Sequence, residues 1–358
     1  MEDKFGKQGN TLRRCFLGIS YKLKGEKKMK LKSVFAAILL VAFFAAAAFG
    51  AEYTINAGIG LNDKSAQFQS LKFFKEVVEK NSGGKIEVVL FHSSQLGDDR
   101  TMMEALKMGT QEMTCPSTAP MTAFVNAYKI YDLPFLFANE EVADYILDGP
   151  VGKKLLDMLP AQGMVGLAYW ENGFRMLTNN SHSVKAPEDL KGLKIRTMEN
   201  PIHLAAFKVM GANPTPMAFG ELFSAMQQKV VDGQENPWGT IFLQNYFEVQ
   251  KFATDTGHVY SPFVLLIGKG FWDGLPDDMK AVVQDAADQA KIHNRELNRK
   301  MNAEYLEKLK EKMEVTILTP EQKAAFQEAC QPIYDQFAKD IGEDLIKEVQ
   351  QFISEYKK

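Results

Sequence analysis

The sequence predicts an α/β protein of two domains. Three observations carry that reading: strand-like and helix-like segments alternate from Tyr53 onward, the 358 residues are 46% hydrophobic and 24% charged, and one helical stretch is too long for a single small domain. This balance is that of an ordinary globular protein with apolar material for two cores.

The N-terminus is set aside first. From Met29 the chain reads MKLKSVFAAILLVAFFAAAAFGAEYT. Lys30 and Lys32 make a basic n-region, Val34 to Phe49 an apolar h-region, and Ala48-Phe49-Gly50 places small residues where a signal peptidase reads. A cleaved secretory leader over 29–50 is expected, with 1–28 a dispensable extension before the better start at Met29. The rival is a membrane anchor, since 34–51 is uncharged and a spanning helix needs about 20 residues. The abundance of alanine and the small-residue site favour cleavage, and no cysteine follows to take a lipid.

Charge divides at the same place. Residues 1–33 hold ten Lys/Arg and three Asp/Glu, which leaves 32 basic against 42 acidic residues, a net of −10, for the remainder. An exported, acidic chain argues against a nucleic-acid partner. Beyond Cys15, Cys115 and Cys330 are too far apart in sequence to suggest a disulfide framework, and two buried free thiols are expected.

The elements follow in order. Tyr53 to Ala57 reads as a strand. Phe68, Leu71, Phe74, Val77 and Val78 recur at helical spacing until Asn81-Ser82-Gly83-Gly84 stops them. Ile86 to Phe91 is the next strand, Asp98 to Met108 a helix and Glu112 to Cys115 a strand, the alternation of a parallel sheet. Two helices are expected between Asn139 and Gln162, strands at Met164 to Trp170 and Phe174 to Asn179, and helices at Asn200 to Met210 and Phe219 to Gln228, led in by "KIRTM" and "PTPMA". Val259 to Gly268 is the last β-rich run, interrupted by Pro262. From Pro276 to Met313 no proline or glycine intervenes, and Ala286, Ala290, His293, Leu297, Met301, Tyr305, Leu309 and Met313 fall almost wholly at four-residue steps; the helix would be about 57 Å long and should touch both domains. Thr319-Pro320-Glu321-Gln322 then supplies an N-cap, an N1 proline and a capping-box glutamine.

Catalytic signatures are missing. The five histidines never pair at ligand spacing, and HExxH, Cys-x-x-Cys, G-x-S-x-G and the P-loop pattern do not occur. "GIG" at 58–60 lacks the third glycine of a dinucleotide fingerprint. Acidic pairs such as Asp98/Asp99 sit where helices begin and read as caps. No cofactor, no metal and no enzyme activity are expected.

One residue resists this plain reading. In "GLKIRTM" Arg196 lies on a short strand where both faces should be covered, and a buried charge needs a partner. An internal salt bridge or a solvated edge strand would supply one. Its position at the C-terminal end of the strand, just before a helix opening at Asn200-Pro201, is where open α/β sheets bind ligands, with a helix dipole suited to anions. Phe219 and Asn236 occupy equivalent strand ends. A ring and an amide there are singly weak signals, yet with the guanidinium they compose a site for one carboxylate on a polar body.

"GFRMLTNN", "APEDLKGLKIRTMENP", "GANPTPMAFGELFSAMQQKVVDGQENPW" and "SSQLGDDR" resemble the DctP family, the solute-binding proteins of tripartite ATP-independent periplasmic (TRAP) transporters. The likeness runs from about Ala51 to beyond Ile341. It implies a two-lobed, type II-like binding-protein fold with hinge strands and a long helix across both lobes: 51–172 with 262–301 as the first lobe, 173–261 with 302–358 as the second. By motif it implies that Arg196 forms a bidentate salt bridge with a substrate carboxylate, that Arg175 is a second ligand-contacting arginine, that Asn236 binds the same carboxylate, that Phe219 is an aromatic wall and that Asn56 is a first-strand contact. Sialic-acid-binding members carry an acid and an arginine where this chain reads "STAP" at 117–120, so a C4-dicarboxylate or a sugar acid is implied instead.

The expectation is a monomeric periplasmic receptor that captures a small organic acid and passes it to the small and large TRAP membrane subunits. The alternatives are a periplasmic enzyme or a sensory binding subunit acting on an acidic metabolite.

Overall fold

The computed structural model describes residues 50–356. The leader expected over 29–50, Gly50 apart, the extension before it and Cys15 lie outside the described residues. The first strand of the described residues begins at Tyr53.

β1 (Tyr53–Gly58), α1 (Ala66–Asn81), β2 (Ile86–Phe91), α2 (Asp99–Met108) and β3 (Met113–Thr114) open the chain. α3 (Thr118–Met121), a 3-10 stretch over Asn126–Asp132, α4 (Glu140–Leu147) and α5 (Pro150–Leu156) lead to β4 (Met164–Phe174) and β5 (Met176–Asn179). Then come β6 (Lys194–Thr197), α6 (Pro201–Val209), β7 (Asn213–Pro216), α7 (Leu222–Gln227), β8 (Gly233–Asn236), α8 (Trp238–Leu243), β9 (Phe252–Thr254) and β10 (Tyr260–Gly268). α9 (Lys269–Gly274), α10 (Asp277–Lys310), β11 (Glu314–Thr316), α11 (Pro320–Ile341) and α12 (Glu343–Tyr356) complete it. The helix expected over 219–228 is broken into a 3-10 turn at Phe219–Glu221 followed by α7.

The strands form two sheets, ordered β2-β1-β3-β10-β4 and β11-β9-β5-β8-β6-β7. The parallel pairing expected from the alternation over 53–115 is found, with β1 parallel to β2 and β3, and β6 is parallel to β7 and β8; the sheets are nonetheless mixed, because β10 runs antiparallel to β3 and β4, and β5 antiparallel to β8 and β9. The cause is the crossing. The chain leaves the first sheet along β4, enters the second as β5 and returns as β10, so the returning strand opposes the outgoing one. All nine residues of β10 are buried, and Pro262, which cannot donate to a ladder, sits at a register shift against β4.

Local rules fix the elements. Phe68, Leu71, Phe74 and Val78 are the buried stripe of α1, and Ser65 caps it by accepting from the Phe68 N–H. Asp98 caps α2 through the Thr101 N–H. Thr319 and Gln322 close the expected capping box at α11, with the Gln322 side chain accepting from the Thr319 N–H at 2.9 Å.

α10 has 34 residues, about 50 Å of helix, and touches α1 and β4 on the first-sheet side and α8 and β11 on the other. Its middle differs from the predicted apolar stripe. Four-residue steps drift around a helix of 3.6 residues per turn, so His293, Leu297 and Met301 are only half-buried, while Asn294, Arg295 and Asn298 point inward. These polar groups hold β4 where it leaves the first sheet: Asn294 Oδ1 accepts from the Glu171 N–H at 2.6 Å, and Asn298 Nδ2 donates to the Glu171 carboxylate and the Asn172 carbonyl, each at 3.1 Å. α11 packs on α6 and on the 126–132 stretch, and α12 on α4 and that same stretch. Cys115 and Cys330 are buried and free.

Candidate functional site

A cavity is lined by residues of both sheets. Its walls come from strand ends: Gly60 and Leu61 after β1, Ser117 after β3, Arg196 to Glu199 after and at the end of β6, Met217 to Phe219 after β7, and Asn236 at the end of β8, with Asp99 from the start of α2. Carboxyl ends of strands are where open α/β sheets bind ligands. The space is about 50 Å³ to the centres of water molecules, and at about 10–15 Å³ per water on that measure it holds roughly four.

Arg196 is 2% exposed. Its Nε and Nη2 donate to the Met217 carbonyl at 3.0 and 2.7 Å, while Nη1 is buried without a partner. The side edge of the guanidinium is therefore used by the protein. The end edge, Nη1 with the remaining Nη2 proton, is free for an incoming pair of oxygens. Burial lowers the guanidinium's pKa, yet a group that begins above 12 stays charged. A buried cation with an unpartnered N–H is costly, of order several kcal/mol, unless an anion completes it.

Arg175 behaves differently. It lines the cavity, but Nε and Nη2 grip the Glu235 carboxylate, and Nη2 also donates to the Glu235 carbonyl at 2.6 Å. Both residues are buried, and His258 Nε2 stands 3.3 Å from Glu235 Oε2. Burial alone would raise the Glu235 pKa, but Arg175 and the nearby His258 hold the carboxyl well below its usual range. Burial likewise lowers His258, against the pull of Glu235. The charge of Arg175 is thus compensated within the protein, while the residue stands at the cavity wall where a ligand contact was expected of it. The pairing follows from β5 lying antiparallel to β8, with Leu177 opposite Glu235.

Phe219 and Asn236 both line the cavity. Phe219, half-buried, reaches across to the first-sheet side, where a methyl added at Gly60 would stand 3.8 Å from its ring. Asn236 donates one amide proton to Gln234 Oε1 at 2.5 Å. Asn56 is not brought to the cavity: its backbone N–H and Nδ2 both donate to Glu112 Oε2, at 3.0 and 2.8 Å. It sits two residues short of the end of β1, and the strand reaches the cavity only at Gly60 and Leu61.

Asp99 and Asn172 are among the wall residues that the sequence reading did not single out. Asp99 looked like a second cap beside Asp98. Only Asp98 caps; the Asp99 carboxylate turns to the cavity and accepts from the Ser117 N–H at 3.1 Å. Burial pushes its pKa up to about 7, against the pull of the Ser117 hydrogen bond and the nearby Arg196. Asn172 sits in β4 where that strand leaves the first sheet, and is 4% exposed. No local pattern in "YWENGF" marks it.

The family profile of the bacterial extracellular solute-binding proteins, family 7 (DctP), matches residues 57–340. A sugar acid binding protein of Advenella mimigardefordensis, solved with galactonate, is 41% identical, with a TM-score of 0.84 over 86% of this chain and 99% of that one. A TRAP periplasmic solute-binding protein of Polaromonas sp. JS666, bound to D-erythronate, is 38% identical with a TM-score of 0.81, covering 83% of this chain and 98% of that one. Another from Sulfurospirillum deleyianum, with bound succinate, is 38% identical with a TM-score of 0.80, covering 84% and 99%.

Proposed function

The chain belongs to the DctP family of bacterial extracellular solute-binding proteins, and on that premise we propose that it captures a small organic carboxylate in this cavity and delivers it to TRAP membrane subunits for secondary active uptake. The observation that carries the reading is Arg196, a buried guanidinium whose Nη1 has no partner among the described residues.

The ligand carboxylate sits on the end edge of Arg196, with the Asn236 amide beside it and the Phe219 ring against its carbon skeleton. Arg175, already neutralised by Glu235, adds an N–H surface and no net attraction. The two sheets belong to two lobes that close around the hinge near 172/173 and 261/262, with α10 running across both. Closure expels water and strengthens the ion pair. The "STAP" stretch at 117–120, of which Ser117 and Pro120 line the cavity, offers neither the acid nor the arginine of sialic-acid-binding members, and a C4-dicarboxylate or a sugar acid suits it better. The related proteins solved with galactonate, erythronate and succinate support this ligand class. Action in the periplasm follows from the same family reading.

Titration calorimetry of the mature protein with four-carbon acids tests the reading. Saturable binding that Arg196→Ala abolishes is the expected result; equal binding by that variant would refute it. Uptake of labelled acid by vesicles holding the membrane subunits, only when this protein is added, tests delivery.

A further inference from the structure

We infer that Asn62 and Asn200 are clasp residues, which tie the two lobes together over a bound acid without touching it and so set how long it is retained. The inference rests on the proposed closure of the lobes around the cavity and names side chains that hold the closed form.

Neither asparagine lines the cavity, yet each is the chain neighbour of a residue that does, Asn62 of Leu61 and Asn200 of Glu199. Asn62 follows β1 of the first sheet. Its Nδ2 donates at 2.9 Å to the carbonyl of Leu243, the last residue of α8, a helix that opens just after Asn236 at the end of β8. Carbonyls in the last turn of a helix have no partner within it, and Asn62 supplies one from the other sheet's side. Asn200 follows β6, the strand of Arg196. Its Nδ2 donates to the Ala119 carbonyl at 3.1 Å and to Asp132 Oδ2 at 2.8 Å. Ala119 lies between Ser117 and Pro120, two cavity residues that follow β3 of the first sheet. His203 Nε2, one turn along α6, adds a contact of 2.9 Å to Asp132 Oδ1. Each clasp therefore joins a segment leaving the cavity from one sheet to a segment leaving it from the other.

The residue type fits the task. Asn200 is also the N-cap of α6, where its Oδ1 accepts from the Ile202 N–H at 2.8 Å and the His203 N–H at 3.3 Å. Aspartate and serine cap as well as asparagine does. Aspartate, when ionised, has no proton to donate across, whereas an amide accepts at one atom and donates at the other. Asn62 is used in the same way, its Oδ1 accepting from the Lys64 N–H at 3.1 Å within its own turn. In both residues the oxygen holds the local turn and the nitrogen makes the bond between lobes. Such bonds have a small net worth, because water replaces them when the groups part. They bias closure without locking it, as a receptor that must later release its solute requires.

The test measures rates. Stopped-flow tryptophan fluorescence with succinate and with D-erythronate compares wild type, Asn200→Ser, Asn62→Asp and the double variant, with ligand-free melting as a check on folding. Asn200→Ser keeps an N-cap but is too short to reach Ala119 and Asp132. Asn62→Asp keeps the oxygen for Lys64 and offers Leu243 no donor. Each single variant should release the acid about fivefold faster or more, with association within about threefold of wild type, because most interface changes act on release. The double variant should multiply the two effects. Release at the wild-type rate in both single variants, or lower melting with release unchanged, would make the asparagines merely structural and overturn the clasp while leaving the carboxylate site standing. Binding of neither acid by wild type would overturn the carboxylate reading, and the clasp with it.

Discussion

Arg196→Ala separates ligand binding from folding. The substitution removes the unpartnered Nη1 and the donors to the Met217 carbonyl. Truncating one partner of a buried, hydrogen-bonded charge pair costs about 2–5 kcal/mol, because the other charge is left unpaired. With an end-on pair of charge-assisted bonds at stake, about 3–4 kcal/mol is expected, a loss of about 150- to 1,000-fold in affinity. The ligand-free protein should respond in the opposite sense. It sheds a buried cation with no anion, so its melting temperature should hold or rise. Arg196→Lys tests the fork: an ammonium can serve the Met217 carbonyl or the ligand but lacks the flat edge that serves both, and at least tenfold weaker binding is expected. Calorimetry with D-erythronate reads the affinities and thermal melts with and without ligand read the stability. Affinities within threefold of wild type in both variants would refute the reasoning.

The other predictions address charges around the site. Glu235→Ala leaves Arg175 buried without its carboxylate, which costs about 3–5 kcal/mol; for a chain of this size the melting temperature should fall by about 6 °C or more, and a drop under 2 °C would show that the pair is not structural. Asp99 has a folded pKa of about 7, raised from 3.8, so the folded protein binds more protons than the unfolded one between those values. Its contribution to stability is fully present below the unfolded value and is lost as pH rises through 7. Ligand-free protein should melt higher at pH 5.5 than at pH 8 through this group, and Asp99→Asn should flatten the difference; an unchanged pH profile in that variant would remove Asp99 from the account. An ionised Asp99 also repels a ligand carboxylate held on Arg196, so wild-type affinity should weaken from pH 6 to 8.5, and Asp99→Asn should show little such trend. Gly233→Ala would place a methyl 2.2 Å from the Thr178 carbonyl oxygen of the neighbouring strand. The variant should be strongly destabilised or fail to fold, and wild-type melting would contradict the packing.

Much of the fold was legible because local chemistry announces it. The α1 stripe, the Thr319 capping box and the glycines after Asn81 act over a few residues and need no tertiary context. Arg196 was legible for a similar reason: a cation in a short apolar strand at a helix entry is a local contradiction that only a partner resolves. The parallel pairing of β1 with β2 and β3 was legible in the alternation, whereas the direction of β10 was not, because it opposes β3 and β4 through a return of the chain across the molecule. Asp98 and Asp99 are neighbours and both line the cavity, yet Asp98 caps α2 while Asp99 accepts from the Ser117 N–H. The second contact depends on how α2 packs. Arg175 and Arg196 looked alike in sequence. Glu235, brought opposite by the antiparallel pairing of β5 and β8, makes one an internal pair and leaves the other open. Asn172 comes to the cavity wall at a register shift between β4 and β10, which is a relation between two strands and leaves no mark on either alone.

A crystal structure with D-erythronate bound tests the central claim most directly. The account predicts a ligand carboxylate within hydrogen-bonding distance of Arg196 Nη1, with no protein carboxylate on that edge. An acid seated elsewhere, with Arg196 turned to an Asp or Glu of the protein, would contradict it.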